Sequence, residues 1–186
     1  MSTDRLGPIP VEQLSEAQRS AAQAVIDGPR GALYGPFVPL LRSPELMTAA
    51  QQMGEYLRYR SALGTRLSEL AILVTARQWD QQVEWAIHAP IAAREGIAAA
   101  AIAAIASGQR PEALPADEAL VHDFCVELQR DRAVSDATYA SALDAFGEQG
   151  VVDLMGLCGY YTFLAMVMNG ARTPAPASTA APLPPL

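Results

Sequence analysis

The chain has no lysine: all 13 of its basic side chains are arginine. Without a lysine amine there can be no Schiff base to a substrate, no aldimine to pyridoxal phosphate and no lysine of a phosphate-binding loop. Cysteine is almost as scarce, with only Cys125 and Cys158, each inside an apolar stretch. Both read as reduced core residues behaving as small hydrophobes, which points to a cytoplasmic protein without a disulfide framework. Positive charge is in deficit, the net formal charge being -7. No basic patch is therefore available for a nucleic acid or an anionic membrane. Gly-x-Ser-x-Gly and glycine-rich phosphate loops are missing, which removes the commonest serine-hydrolase and nucleotide-binding signatures. The first residues, Met1 to Pro8, show no apolar run behind a basic start, so no signal peptide is expected. Only Val151 to Met168 approaches a membrane span. It carries Asp153, and its uncharged part is shorter than the roughly 20 residues a spanning helix needs, so a buried helix is expected there.

What is present is apolar and helix-patterned. About half of the 186 residues are hydrophobic (51%), enough for one domain with one core over residues 1–172. No sustained period-two alternation and no internal repeat occurs, and the fold class expected is all-α. Ser15 with Gln18 forms a capping box that starts a helix over about Glu16 to Ile26. Asp27 to Leu41 is broken by prolines and glycines into a loop, yet Leu33, Tyr34, Phe37, Val38 and Leu40 would hold it against the core, as in loops that cover a site. Ser43-Pro44-Glu45 starts the next helix, with Leu46, Ala49, Ala50, Met53, Tyr56 and Leu57 as its apolar stripe and Gly64 as its end. Thr65 and Asp80 are the expected caps of the two helices that follow. A short alanine-rich helix spans 98–107, an amphipathic one Asp117 to Arg130, another runs from the Ser135 cap to Phe146, and an apolar one closes the series over Val151 to Asn169. Residues 173–186 carry five prolines and are expected to be a disordered tail.

Candidate chemistry lies between Glu69 and His88. The segment from Leu67 to Ala76 is hydrophobic nearly all round, so Glu69 has no polar face to belong to and is expected to be buried. If Glu69 to His88 folds as an antiparallel hairpin turning near Trp79, both residues stand roughly 14 to 15 Å from the turn, level on facing helices. Glu84 precedes His88 by one helical turn and shares its face. Burying glutamate costs several kcal/mol unless it is partnered, so a carboxylate, imidazole, carboxylate cluster fit for proton transfer is favoured over a lone core histidine. Pro90 cannot donate to the carbonyl of Ala86, leaving a kink or an open carbonyl beside the imidazole. Arg42, Arg58, Arg60 and Arg66 flank the segment; one of them could bind a substrate carboxylate bidentately, while surface ion pairing is the expected fate of any particular one. Trp79 and Trp85 read as packing residues and His122 as a solvated one. Glu69, Glu84 and His88 could make a two-carboxylate, one-histidine metal set, but with no second histidine and no Glu-x-x-His pair the metal-free reading is preferred and no cofactor is expected.

These residues carry a family resemblance. Leu67-Ser-Glu-Leu-Ala-Ile-Leu, Val83-Glu-Trp-Ala-Ile-His-Ala-Pro-Ile-Ala and Glu95-Gly-Ile resemble the carboxymuconolactone decarboxylase family, with the Pro36 to Leu46 stretch and the apolar last helix also similar. The resemblance implies an AhpD-like helical bundle with a central antiparallel helix hairpin. The family's peroxidase branch places a Cys-x-x-Cys pair between its glutamate and histidine; here Gln81 and Glu84 stand at those positions, so that thiol chemistry is impossible. The decarboxylase branch implies cofactor-free conversion of gamma-carboxymuconolactone, or a related lactone or carboxylic acid, with His88 as general acid, Glu69 supporting its tautomer and charge, and Glu84 relaying protons or positioning substrate. It also implies a homo-oligomer, trimer or hexamer. A related isomerase or lactone hydrolase using the same cluster, and a non-catalytic small-ligand binder, are the alternatives.

Overall fold

The computed structural model describes residues 4–178 and 180–185, and among them there is no strand. After a 3-10 turn at Val11–Gln13, eight helices follow in order: α1 (Glu16–Asp27), α2 (Phe37–Leu40), α3 (Pro44–Tyr59), α4 (Gly64–Gln78), α5 (Gln82–Arg94), α6 (Ala99–Ala106), α7 (Ala116–Asp131) and α8 (Asp136–Ala171). The all-α reading holds. Helix α4 is the axle of the bundle, flanked by α5, α7 and α8 and touched by α3 and α6. Every residue of α4 from Leu67 to Arg77 is buried, as expected of a helix without a polar face.

Local signals explain most of the boundaries. Ser15 and Gln18 close a complete capping box at the start of α1. Pro44 sits in the first turn of α3, although the Ser43 side chain makes no capping bond. Helix α3 ends at Tyr59, where Arg60 leaves helical geometry (φ -137°), and Gly64, expected to end it, adopts φ +72° and opens α4 instead. Neither Thr65 nor Asp80 is a cap. Asp80 takes the left-handed turn position at φ 48° and its carboxylate holds buried Arg77, while the Gln81 side chain accepts from the Val83 amide and caps α5. The expected apolar stripe of α3 is rotated: Met47, Ala50, Gln51, Gly54 and Leu57 face inward, whereas Leu46 and Met53 are exposed. Gly54 lies on that face, and a Cβ there would collide with the ring and hydroxyl of Tyr160.

The two last helices expected from the sequence join as α8, which kinks at Gly147 (φ 67°, ψ 176°). By length and composition α8 could cross a membrane, yet 56% of its most apolar window is packed inside the bundle. Cys125 on α7 and Cys158 on α8 are buried free thiols with their sulfurs 3.4 Å apart. His122, expected to be solvated, is instead buried, its Nδ1 3.0 Å from Asp123. The proline-rich stretch expected to be disordered has no helix or strand across its described residues, but it folds back along α5. Leu183 is buried there and exchanges two hydrogen bonds with the Gln82 side chain, and Trp85 Nε1 donates to the Ala181 carbonyl. The carbonyl of Ala86, freed by Pro90, accepts from the Ser178 hydroxyl at 2.6 Å.

Candidate active site

The hairpin of α4 and α5 brings its ionisable groups level. Nδ1 of His88 lies 2.6 Å from Oε2 of Glu69. The other carboxylate oxygen of Glu69 faces Arg58 of α3, 3.7 Å from Nη2. Glu69 and His88 are both buried, so the carboxylate is held between two cationic or hydrogen-bonding partners in the interior, the condition under which a buried carboxylate is tolerated. Since Nδ1 is committed to Glu69, Nε2 is the only ring nitrogen left to exchange a proton with anything else. Tyr161 packs its ring edge-on against the imidazole, 5.2 Å between centroids, and fixes its plane.

A small cavity of about 30 Å³ opens beside this pair, lined by Arg30, Tyr34, Phe37, Arg58, Glu84 and His88 among others. Such a volume holds about one or two waters. Glu69 does not line it. The carboxylate therefore stands behind His88 and Arg58 and positions both, while His88, Glu84 and Arg58 present themselves to the cavity.

Glu84 behaves differently from Glu69. Both of its carboxyl oxygens are buried without a hydrogen-bond partner among the described residues. Burial pushes its pKa well above the usual carboxylate range, which favours the protonated, hydrogen-bond-donating form. Burial also lifts the phenol of Tyr161 well above 10, and that of Tyr160 to about 12. For Arg58, burial works against the charge, but Tyr161 and Glu69 outweigh it and the guanidinium is held more firmly protonated. Its Nε is buried and has no hydrogen-bond partner among the described residues.

Of the four arginines singled out in the sequence, only Arg58 reaches the site. Arg42 donates to the carbonyls of Leu6, Gly7 and Val38; Arg66 pairs with Asp117 and Glu118; Arg60 lies over the ring of Tyr56. Arg30 was not anticipated. It reaches the cavity from the loop before α2, stacked over Phe37 with its centre 4.7 Å from the ring, and its Nη1 donates to Gln51. Its place in the covering loop was the available signal. Tyr161 carried none, being one more aromatic in an apolar helix. Trp79 and Trp85 pack away from the site, donating to Gln129 and to Ala181. Among the described residues no group of three or more His, Cys, Asp or Glu side chains is arranged to hold a metal ion.

Comparison with known protein families and with curated proteins finds no match to this chain.

Proposed function

We propose that the protein is a cofactor-independent enzyme that moves a proton on a small carboxylic acid or lactone, in the manner of the carboxymuconolactone decarboxylases its hairpin resembles, on an AhpD-like bundle. The observation that carries this reading is the 2.6 Å bond between His88 Nδ1 and Glu69 Oε2, which leaves Nε2 for the cavity that Glu84 and Arg58 also line. A histidine oriented by a buried carboxylate, beside an acid kept protonated, is an arrangement suited to general acid catalysis.

In the decarboxylation of such a lactone acid, the bond to the carboxylate carbon breaks and carbon dioxide departs. The electron pair spreads over a dienolate ending on the lactone carbonyl oxygen. Arg58 and the Glu84 hydroxyl, which line the inner cavity, offset the negative charge as it passes from the carboxylate to that oxygen. His88 Nε2 delivers its proton to carbon, Glu69 supporting the imidazolium before transfer, and solvent restores the proton. Self-association of the protein belongs to the same reading, with Val152, Met155 and Met166 forming an exposed apolar line on α8.

Purified protein without added metal should consume gamma-carboxymuconolactone, seen as loss of substrate absorbance with release of carbon dioxide, and turnover should vanish in His88→Ala. Full turnover in that variant would overturn the assignment of the general acid. No turnover of this or any related lactone by the parent protein would overturn the reaction class.

A further inference from the structure

The site has a second compartment. An apolar chamber of about 550 Å³ lies directly outside the small cavity, and the two share Tyr34, Val83 and Ile87 as a common wall. Leu33 and Val38 form one side of the outer chamber and Pro174 and Pro176 of the C-terminal stretch form another. Its volume is that of a chamber built for a small organic ligand, whereas the inner cavity admits little more than the oxygens of one functional group.

The two compartments differ in chemistry. The inner one carries two guanidinium groups. Arg58 faces Glu69, and Arg30 has no carboxylate partner among the described residues. One positive charge is thus left over, which a single anion would balance. Two polar groups there await a partner: the Nε of Arg58, and the Glu84 carboxyl, which is 3% exposed with both oxygens unbonded. Buried polar atoms are rarely left unsatisfied unless something else completes them. The wall between the compartments is thin and belongs partly to a loop. Tyr34 is 38% exposed and its hydroxyl makes no hydrogen bond among the described residues. A Cβ at Gly35, which has φ +57°, would already touch Val83 and Ile87.

We infer that the substrate class is an amphipathic carboxylic acid: one carboxylate is held by Arg58 and Arg30 with the Glu84 hydroxyl donating to it, and an apolar arm lies past Tyr34 in the outer chamber. This rests on the proton-transfer reading only in taking the inner cavity as the reacting end. The chamber then selects against short acids, which leave its apolar walls Leu33, Val38 and Pro174 uncovered.

The test is equilibrium binding of straight-chain acids, acetate through octanoate, to the full-length protein by titration calorimetry. Affinity should climb about fourfold per methylene while the arm is being buried, then level off. Arg58→Gln should abolish binding at every length. Val38→Phe, which fills the outer chamber only, should reduce octanoate to the affinity of the shortest acid that binds and leave that acid unchanged; Leu33→Asp gives the same result by charge if the phenylalanine variant misfolds. Affinity independent of chain length would overturn the inference. So would length dependence indifferent to Val38→Phe but lost in Ala103→Phe, because the arm would then occupy a separate apolar groove between α5 and α6, lined by Pro90, Ala93, Ile102 and Ala103. Binding and turnover fail separately: acids that bind as described while no lactone turns over refute the reaction and spare the substrate class, and the reverse outcome does the opposite.

Discussion

Oε2 of Glu69 and Nδ1 of His88, separated by 19 positions in the chain, meet at 2.6 Å. The meeting is a consequence of register: the three residues between Gln78 and Gln82 turn the chain so that the two helices run back on each other. Because Glu69 does not line the cavity, removing it should act through its partners. Glu69→Ala strips a buried carboxylate from between Arg58 and His88, and should cost about 3 to 5 kcal/mol of stability. Glu69→Gln keeps the shape and should cost less, yet still lower turnover on the order of 10²-fold or more by failing to support the imidazolium. Chemical denaturation with single-turnover rates on the same samples separates the two effects. A Gln variant with parental turnover would remove Glu69 from the mechanism.

Glu84 supplies a pH dependence of opposite sign to that of most carboxylates. Its folded pKa lies above its unfolded value, so the folded chain keeps a proton that the unfolded chain releases once the pH passes about 4.3. Folding is therefore unpenalised by this group below that pH and loses stability as the pH rises toward the folded pKa. Glu84→Gln removes the penalty. The variant should match the parent near pH 4 and be the more stable of the two at pH 7, with urea midpoints at pH 4, 5.5 and 7 as the measurement. A variant less stable than the parent at pH 7 would mean that Glu84 is ionised and paired.

The hairpin and its cluster could be read from the chain because each depends on local pattern. A run with no polar face must be buried, and two helices joined by a short polar break must lie side by side. The details that escaped depend on packing across the chain. Leu46 and Met53 are as apolar as Met47 and Leu57, and nothing in α3 alone says which pair turns inward; the close approach of Tyr160 from α8 decides it. Likewise, four arginines flank the hairpin, and only the path of α3 selects Arg58. His122 belongs to an amphipathic helix whose polar side is covered, with Arg110 holding Asp123 at 2.8 Å and Asp123 holding the imidazole. Asp80 was a reasonable cap by residue type, but the left-handed turn needs a residue that tolerates positive φ, and aspartate serves there as well.

The C-terminal stretch is expected to act as a splint for α5. Pro90 deprives the Ala86 carbonyl of its helical partner, and Ser178 supplies the missing donor two residues from His88 in the chain. Ser178→Ala should cost about 1 kcal/mol. Deleting everything beyond Arg172 also releases buried Leu183 and the bonds to Gln82, Trp85 and Arg77, and should cost on the order of 3 kcal/mol. Hydrogen exchange would locate the effect: faster exchange confined to α5 fits a splint, and unchanged protection of α5 on deletion would show that the stretch contributes nothing to it.

Gly54 connects packing to the site. A Cβ added there would stand 2.6 Å from Nη2 of Arg30 and closer still to the hydroxyl of Tyr160. Both neighbours would have to give. Tyr160 is buried on α8 and has little room, so the guanidinium is the group that moves, and it moves at the mouth of the cavity it lines. Gly54→Ala should therefore destabilise the fold by about 1 to 3 kcal/mol, as overpacking does, although alanine is the better helix former. It should also weaken carboxylate binding more than Ala49→Val, a change of similar size on a neighbouring turn of the same helix outside its buried face. Calorimetry with octanoate on the two variants decides the point. Equal affinity in both would mean that Arg30 is not part of the binding site.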